Sequence, residues 1–438
     1  MLSLEKHKDT VRKMDDFPRQ QQSILFYRWL FGITVILFPV VAFISKRAND
    51  ACFYLFLCLC FSVLFIYKKS WRQSFRSFFS DCWPLFLAMA CPFVAETLNQ
   101  LFVSGFRLAF FDLPVRFLLV PFLIYGLLNL PYEDLRQVRW GFMIGALACS
   151  LLFFYMAYKE GPRVNTEHFI QLRLINYANM TLLIGFLTFL TLGWNRADNR
   201  IVSVLKIIVF IAAIAVSLVS LTRGGWLAFP FFIWVGARFF KLKRKNLLVL
   251  CGIMALLFSS LFFFSSSIQS RFTAAIDNIS QYEGGENKDT SVGIRFQHYR
   301  AGIAFFKKSP LFGIGRGDFK GKMQELAEEN IISEEAARAG AWHLHNEFMY
   351  QLATGGILAA LSVILFSLVP FCYFYRAVYS DDTELRAVAC MGVTVSVAFF
   401  IFGLTEGVFL PKQMVNFYVF TLSILMTLLW QRRKRMQM

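Results

Sequence analysis

Charge is what this sequence has least of. Asp, Glu, Lys and Arg together make up 17% of its 438 residues, where a soluble domain carries roughly 25%. The deficit falls on the acids, 28 against 45 basic residues. Histidine is scarcer still, with five, so the position of each one is informative. Polar interruptions are missing across repeated apolar runs, each about 20 residues long and sufficient to cross a bilayer core as helix. Because these runs lack a polar face, a soluble protein with a very large core is excluded. Internal repeats, low-complexity runs and flexible linkers are also missing, which argues against the related halves of a transporter.

Other absences narrow the chemistry. The nine cysteines sit mostly inside apolar runs, at Cys52, Cys58, Cys60, Cys91, Cys149, Cys251, Cys372 and Cys390, with Cys82 at an edge. A disulfide framework or a zinc site needs paired ligands in a polar region, so these read as small apolar fillers. No carboxylate pair or Asp-rich cluster suggests a metal, and metal-independent chemistry without a cofactor is expected. The net charge of +17 does not point to nucleic acid. Membrane proteins retain Lys and Arg in cytoplasmic loops, and no basic, aromatic-interleaved motif is present. The first apolar run is too long for a signal peptide and lacks a small-residue cleavage pattern, so it is read as a retained span.

What is present is an all-α integral membrane protein with about 12 expected transmembrane helices. They cover residues 24–44, 51–67, 84–102, 115–130, 141–158, 177–193, 202–219, 225–240, 247–265, 346–375, 387–404 and 413–430. Basic clusters mark every even-numbered connection: Lys68, Lys69, Arg72 and Arg76; Arg136 and Arg139; Arg196 and Arg200; Lys241, Lys243, Arg244 and Lys245; Arg376 and Arg386. Basic residues also mark both ends, through Lys6, Lys8, Arg12 and Lys13 and through Arg432-Arg433-Lys434-Arg435. That places both termini and the even connections in the cytoplasm. Lys46, Arg47, Arg107, Lys159, Arg163 and Arg173 fall in outside loops, where some of them could face an anionic substrate. The expected organisation is 1–266 as spans one to nine, 267–345 as a long outside loop carrying the chemistry, and 346–438 as spans ten to twelve.

The loop holds three of the five histidines. Residues 291–308 predict an amphipathic helix stopped by Ser309-Pro310, and 319–338 a second, more polar one. Both suit the outer membrane surface. Gly313-Ile314-Gly315-Arg316-Gly317 lacks the strand before it and the Gly-Lys-Ser/Thr after it that a nucleotide loop requires. It reads as a tight turn whose N–H groups could meet an anion.

Seven positions lead the candidates. His345 opens the tenth span in Trp342-His343-Leu344-His345-Asn346-Glu347. An imidazole there can accept a proton at neutral pH, or simply decorate the interface. Asn346 could orient a sugar hydroxyl or cap the helix. His343, two residues away, would face elsewhere on a continuous helix and is secondary. Arg223, in Ser220-Leu221-Thr222-Arg223-Gly224-Gly225, separates two apolar runs with almost no loop. It is paired, lines a polar cavity or snorkels to headgroups. Arg295 shares a helix face with His298 and Tyr299, with Arg300 to the side. This is either a phosphate grip or a solvated face. Among carboxylates, Glu406 reads as solvent-exposed, and Glu96 as paired with a base or lining a cavity.

These motifs resemble the O-antigen ligase and polymerase superfamily: many spans, Arg223-x-x-x-Leu227, a long outside loop before the last three spans, and His-Asn at the next span. Ser291-Val292-Gly293-Ile294-Arg295, Lys308-Ser309-Pro310 and His343-Leu344-His345-Asn346-Glu347 resemble the enterobacterial ligases most. Gly356 fits the glycine expected further along that span, and Ala359 departs from the pattern. The resemblance implies a fold similar to C-type glycosyltransferases. It also implies a metal-independent, inverting transfer of O-antigen polysaccharide from undecaprenyl diphosphate to the outer core of lipid A-core, at the periplasmic face of the bacterial inner membrane. Donor, acceptor and membrane lipids are the implied partners. Arg223 and Arg295 would stabilise the leaving diphosphate and His345 would take the acceptor proton. His343, Asn346, Tyr299 and Arg300 would help to hold substrate. An O-antigen polymerase is the nearest alternative, and a polyprenyl-linked glycan flippase the alternative of another class.

Overall fold

Every regular element among the described residues is a helix. The computed structural model describes residues 24–66, 71–192, 194, 198–249, 266–285 and 287–437, with isolated positions at 252, 256, 259 and 263. The N-terminal basic cluster and most of the expected span at 247–265 lie outside the described residues. The α-helices of six residues or more whose bounds are described are α1 (Ile24–Val41), α2 (Lys46–Ile66), α3 (Trp71–Asn99), α4 (Asp112–Leu118), α5 (Val120–Leu127), α6 (Val138–Glu160), α7 (Leu174–Leu190), α8 (Arg200–Val219), α9 (Phe229–Phe239), α10 (Ser266–Glu283), α11 (Ser291–Lys308), α12 (Phe319–Glu328), α13 (Glu334–Ala339), α14 (Glu347–Tyr375), α15 (Thr383–Gly403) and α16 (Lys412–Gln437).

Eight helical stretches are long and apolar enough to cross a membrane. Their outward faces are apolar as well. On α8, Ile201, Val204, Leu205, Ile208 and Ile211 are exposed, a continuous apolar surface that only lipid tolerates. The most apolar stretch of α16, by contrast, is 94% buried and packs against α2, α5 and α15 as the centre of the bundle. The chain is therefore an all-helical, multi-pass membrane protein. The expected fourth span is broken at Leu119 into α4 and α5. Pro121 lies at the start of the second piece, where a missing N–H costs nothing.

Ion pairs gather one set of connections at one end of the bundle. Arg28 binds Asp134 at 2.6 Å, Arg136 binds Glu384 at 3.0 Å, and Arg432 binds Asp382 at 2.7 Å. Lys241 reaches Asp381 at the same end. Helix α15 runs from there to Gly403, so residues 404–411 lie at the opposite end, as sequence parity required.

The segment before α14 has its own small core. Phe305, Phe319, Met323, Leu326, Ala336, Leu344 and Tyr350 pack together. Helix α11 has the bounds predicted for it, capped by Thr290 accepting from the Gly293 N–H at 3.1 Å. The predicted helix over 319–338 is two helices. Asn330 adopts φ +58° and ends the first, and Ser333 caps the second through the Ala336 N–H. Their apolar faces pack on each other, on α11 and on Tyr350 of α14, which buries those side chains within the protein.

The glycine turn is likewise a packing device. Helix α14 breaks at Gly356, with φ +66° and ψ −160°, a conformation essentially reserved for glycine. The break frees carbonyls, and the turn satisfies them. Ile314 N–H donates to Ala353 O at 2.9 Å and Gly315 N–H to Thr354 O at 2.8 Å. Asn99 from α3 adds a donor to Thr354 O at 3.0 Å. A Cβ on Gly313 would collide with the Thr354 carbonyl carbon. These N–H groups are committed to the protein and do not face an anion. Arg316 points into the bundle, 3.5 Å from Glu96, and both line a cavity of about 30 Å³ with Gln351 and Thr354. Glu96 thus has both the basic partner and the cavity expected of it.

Candidate functional site

The connection between α15 and α16 organises the site. It is short because Gly403 approaches Glu347 closely and Pro411 starts the turn into α16. Leu404 O accepts from Asn346 Nδ2 at 3.1 Å. Gly407 O accepts from Asn176 Nδ2 at 3.2 Å, and Phe409 N–H donates to Glu347 Oε2 at 3.0 Å. Between them, the Glu406 side chain points inward and is 1% exposed. The expectation that it faces solvent is wrong: two histidines and an arginine enclose it, which is how a buried carboxylate is made tolerable.

His343 Nε2 lies 2.7 Å from Glu406 Oε1, and His345 Nδ1 lies 3.3 Å from Oε2. Arg173, delivered by the turn before α7, contacts Glu406 Oε1 at 3.5 Å and also His343 Nε2. It is held from the other side by Glu167 at 3.0 Å. The two histidine rings are 4.4 Å apart at 77°. The helix-face argument that set His343 aside fails because the chain is not helical here. His345 adopts φ +49°, a backbone strain of about 1–3 kcal/mol for a non-glycine residue and typical of functional sites.

The hydrogen bonds assign the tautomers. The His345 backbone N–H donates to His343 Nδ1 at 3.1 Å, so the His343 proton sits on Nε2 and points at Glu406. His345 donates from Nδ1 to the carboxylate, which leaves the lone pair of Nε2 as its proton acceptor. Burial pushes the His345 imidazole below its ordinary value, and its bond to Glu406 only partly offsets this. Burial alone would raise the Glu406 carboxyl. The bonds from His343 and His345 outweigh it and hold the group well below the usual carboxylate range. At neutral pH the arrangement is an ionised carboxylate orienting an unprotonated imidazole whose side chain is 23% exposed.

Two further elements reach this centre. The turn carrying Arg223 packs on the same connection, so closely that a Cβ on Gly224 would collide with Thr405 Oγ1. Arg223 itself is exposed at the start of a 3₁₀ turn. From α11, His298 stacks on His345 with centroids 5.5 Å apart at 9°. Arg295, one turn earlier and half-buried, contributes to the low basicity of His298. Tyr299 is half-buried and Arg300 exposed on the following positions. Asn346 has a structural use for both ends of its amide. Oδ1 caps α14 through the Met349 N–H at 3.0 Å, while Nδ2 holds Leu404 O.

The structure thus brings His345, His343, the Arg223 turn and the Arg295 helix to one place. It adds Glu406 and Arg173, which sequence reasoning had not selected. His343, His345 and Glu406 have the composition of a metal site, with ligand atoms within 4.8 Å of one another. The Arg173 guanidinium already supplies a cation to the Glu406 oxygen that His343 holds, so the group does not fit a divalent ion.

Fold and site define a multi-pass membrane protein with a carboxylate–histidine centre at one end of its helices. A family model described as O-antigen ligase matches residues 208–364, the stretch carrying Arg223, Arg295, His343 and His345. The chain is 27% identical over 206 residues to the O-antigen ligase of Escherichia coli strain K12, covering 46% of this chain and 48% of that protein. It is 25% identical over 324 residues to an uncharacterized protein of Haemophilus influenzae, covering 71% and 77%. The chain is thus similar to the O-antigen ligase family over part of its length. Its match spans about half the length of the E. coli relative.

Proposed function

We propose that this protein transfers a completed O-antigen polysaccharide from undecaprenyl diphosphate to an outer-core sugar of lipid A-core, without metal or nucleotide and with inversion. The observation that carries the reading is the His345 ring, tied to buried Glu406 through Nδ1 and stacked on His298 of the Arg295 helix, with the Arg223 turn packed on the connection that carries Glu406. In this reading Nε2 removes the acceptor hydroxyl proton as that oxygen attacks the anomeric carbon. The bond from that carbon to the diphosphate breaks on the opposite face. The departing diphosphate takes the electron pair, and Arg223 and Arg295 stabilise its charge. Tyr299 and Arg300 border the donor side, and His343 and Arg173 hold Glu406. The lipid tails of donor and acceptor lie among the spans.

The same reading sets the topology. About 12 spans divide the chain into 1–266, a loop at 267–345 and 346–438. Both termini are cytoplasmic and the site faces the periplasm of the bacterial inner membrane. The gathering of Asp134, Glu384 and Arg432 at the end opposite Glu406 supports it.

The test is transfer by purified protein from undecaprenyl-diphosphate-linked glycan to lipid A-core, with chelator present and nucleotide absent. Ligated product is expected. Elongated donor without ligation would make the protein a polymerase, and lipid translocation without either product would end the enzyme reading.

Glu406→Gln tests the centre. A charge-assisted hydrogen bond contributes about 1.5–3 kcal/mol, so kcat should fall roughly 10–100-fold. The carboxylate raises the His345 pKa against burial. Its loss lets that value fall, and the acid limb of the pH–rate profile should move to lower pH. A limb that stays fixed would remove Glu406 from the centre.

A further inference from the structure

His298 is the buried histidine for which the reaction above has no use. It was grouped with Arg295 and Tyr299 as a possible phosphate grip, but it is 0% exposed and cannot meet substrate. Its Nε2–H donates to Ala336 O at 2.9 Å, at the start of α13. Gly340 is packed so closely that a Cβ there would lie 2.7 Å from Nε2. The ring is thus clamped between α11 and α13, and its free face lies parallel to His345. Nδ1 is buried without a hydrogen-bond partner, a costly state for a polar atom. Phenylalanine would avoid that cost but would lose the anchoring donor.

We propose that His298 is a positioning residue: its clamped ring fixes the orientation of His345 and keeps water off one face of it. The proposal rests on the reading of His345 as the base. Burial pushes the His298 imidazole down to about 4, so the ring presents no competing charge when His345 takes a proton. A neutral aromatic face against an imidazolium is mildly attractive, whereas a protonated neighbour would repel it. Dryness is also the largest cause of the low basicity of His345, and His298 supplies part of that dryness. The other groups facing His345 are Glu406, His343 and Arg173 on the opposite side and Arg295 beside His298. None of them changes in the variants below.

The test compares His298→Ala with His298→Phe in the ligation assay across pH. Thermal unfolding in detergent confirms that each is folded, and His298→Gln replaces the alanine variant if it is not. Removing the ring admits water, so the acid limb should move up by roughly half a unit or more toward the ordinary imidazole value. Loss of orientation should lower kcat about tenfold at optimum pH with KM changed less than twofold. Phenylalanine restores the flat dry face, and the limb should return to its wild-type position. A merely structural role would lower the active fraction and leave the limb where it was. That result, or equal shifts in both variants, overturns the proposal. His345→Gln run alongside separates the two readings. If it keeps full activity, the assignment of the base fails. If it abolishes transfer while His298→Ala leaves the limb unmoved, only the role of His298 fails.

Discussion

Replacing His345 with alanine is expected to lower kcat for ligation by about 10²–10⁴-fold, the usual contribution of a positioned general base. KM for the lipid-linked donor should change little, because the ring meets the acceptor hydroxyl rather than the diphosphate. The prediction is specific to this histidine. His343 uses Nδ1 for the His345 backbone N–H and Nε2 for Glu406, so it has no lone pair to offer a substrate. His343→Ala should therefore cost less than His345→Ala, through loss of orientation alone. The pH profile carries a sign. His345 must be unprotonated to act, so activity is lost as pH falls through its pKa. That value is lowered by burial, which sets the acid limb below the ordinary imidazole value of about 6.5. Normal ligation by a folded His345→Ala protein would remove the base from the mechanism, and equal losses in the two histidine variants would merge their roles.

Much of this was legible in the chain before folding, and the misses share a cause. Apolar run length located the eight helical stretches long and apolar enough to cross a membrane, since each run reports its own environment. The bounds of α11 followed from its amphipathic pattern and from Ser309-Pro310, which act within a few residues of themselves. His345 stood out because so few histidines were available. Glu406 and Arg173 were missed because nothing local distinguishes a carboxylate in an eight-residue connection from a solvated one. Their meaning is tertiary, created when α15 ends beside the start of α14. One signal was available: span parity placed residues 159–176, 267–345 and 404–411 at the same end, so a lone acid and a misplaced arginine there were candidates to pair with the histidines. His343 was set aside by assuming helical continuity, and the left-handed backbone at His345 breaks that assumption. The glycine turn was read as a possible anion cradle because its partner, the break at Gly356, is local to another helix 40 residues on.

Arg223→Ala and Arg295→Ala are each expected to lower kcat by about 10²–10³-fold, the range for removing one donor from a developing anion. The two arginines come from different elements, one on the turn packed against Thr405 and one on the helix stacked through His298 onto His345. Convergence on one leaving group makes their effects coupled. The double variant should lose less than the product of the single losses, because once one arginine is gone the diphosphate no longer sits where the other can serve it. Lysine should rescue neither fully, since a single ammonium cannot reproduce the planar fork that grips two phosphate oxygens. The distinction between kcat and KM decides what the arginines do. Charge grows on the diphosphate only as the anomeric bond breaks, so stabilisation at that stage appears in kcat. A rise in KM with kcat unchanged would make them docking residues for the donor, and strictly multiplicative losses would place them on separate groups.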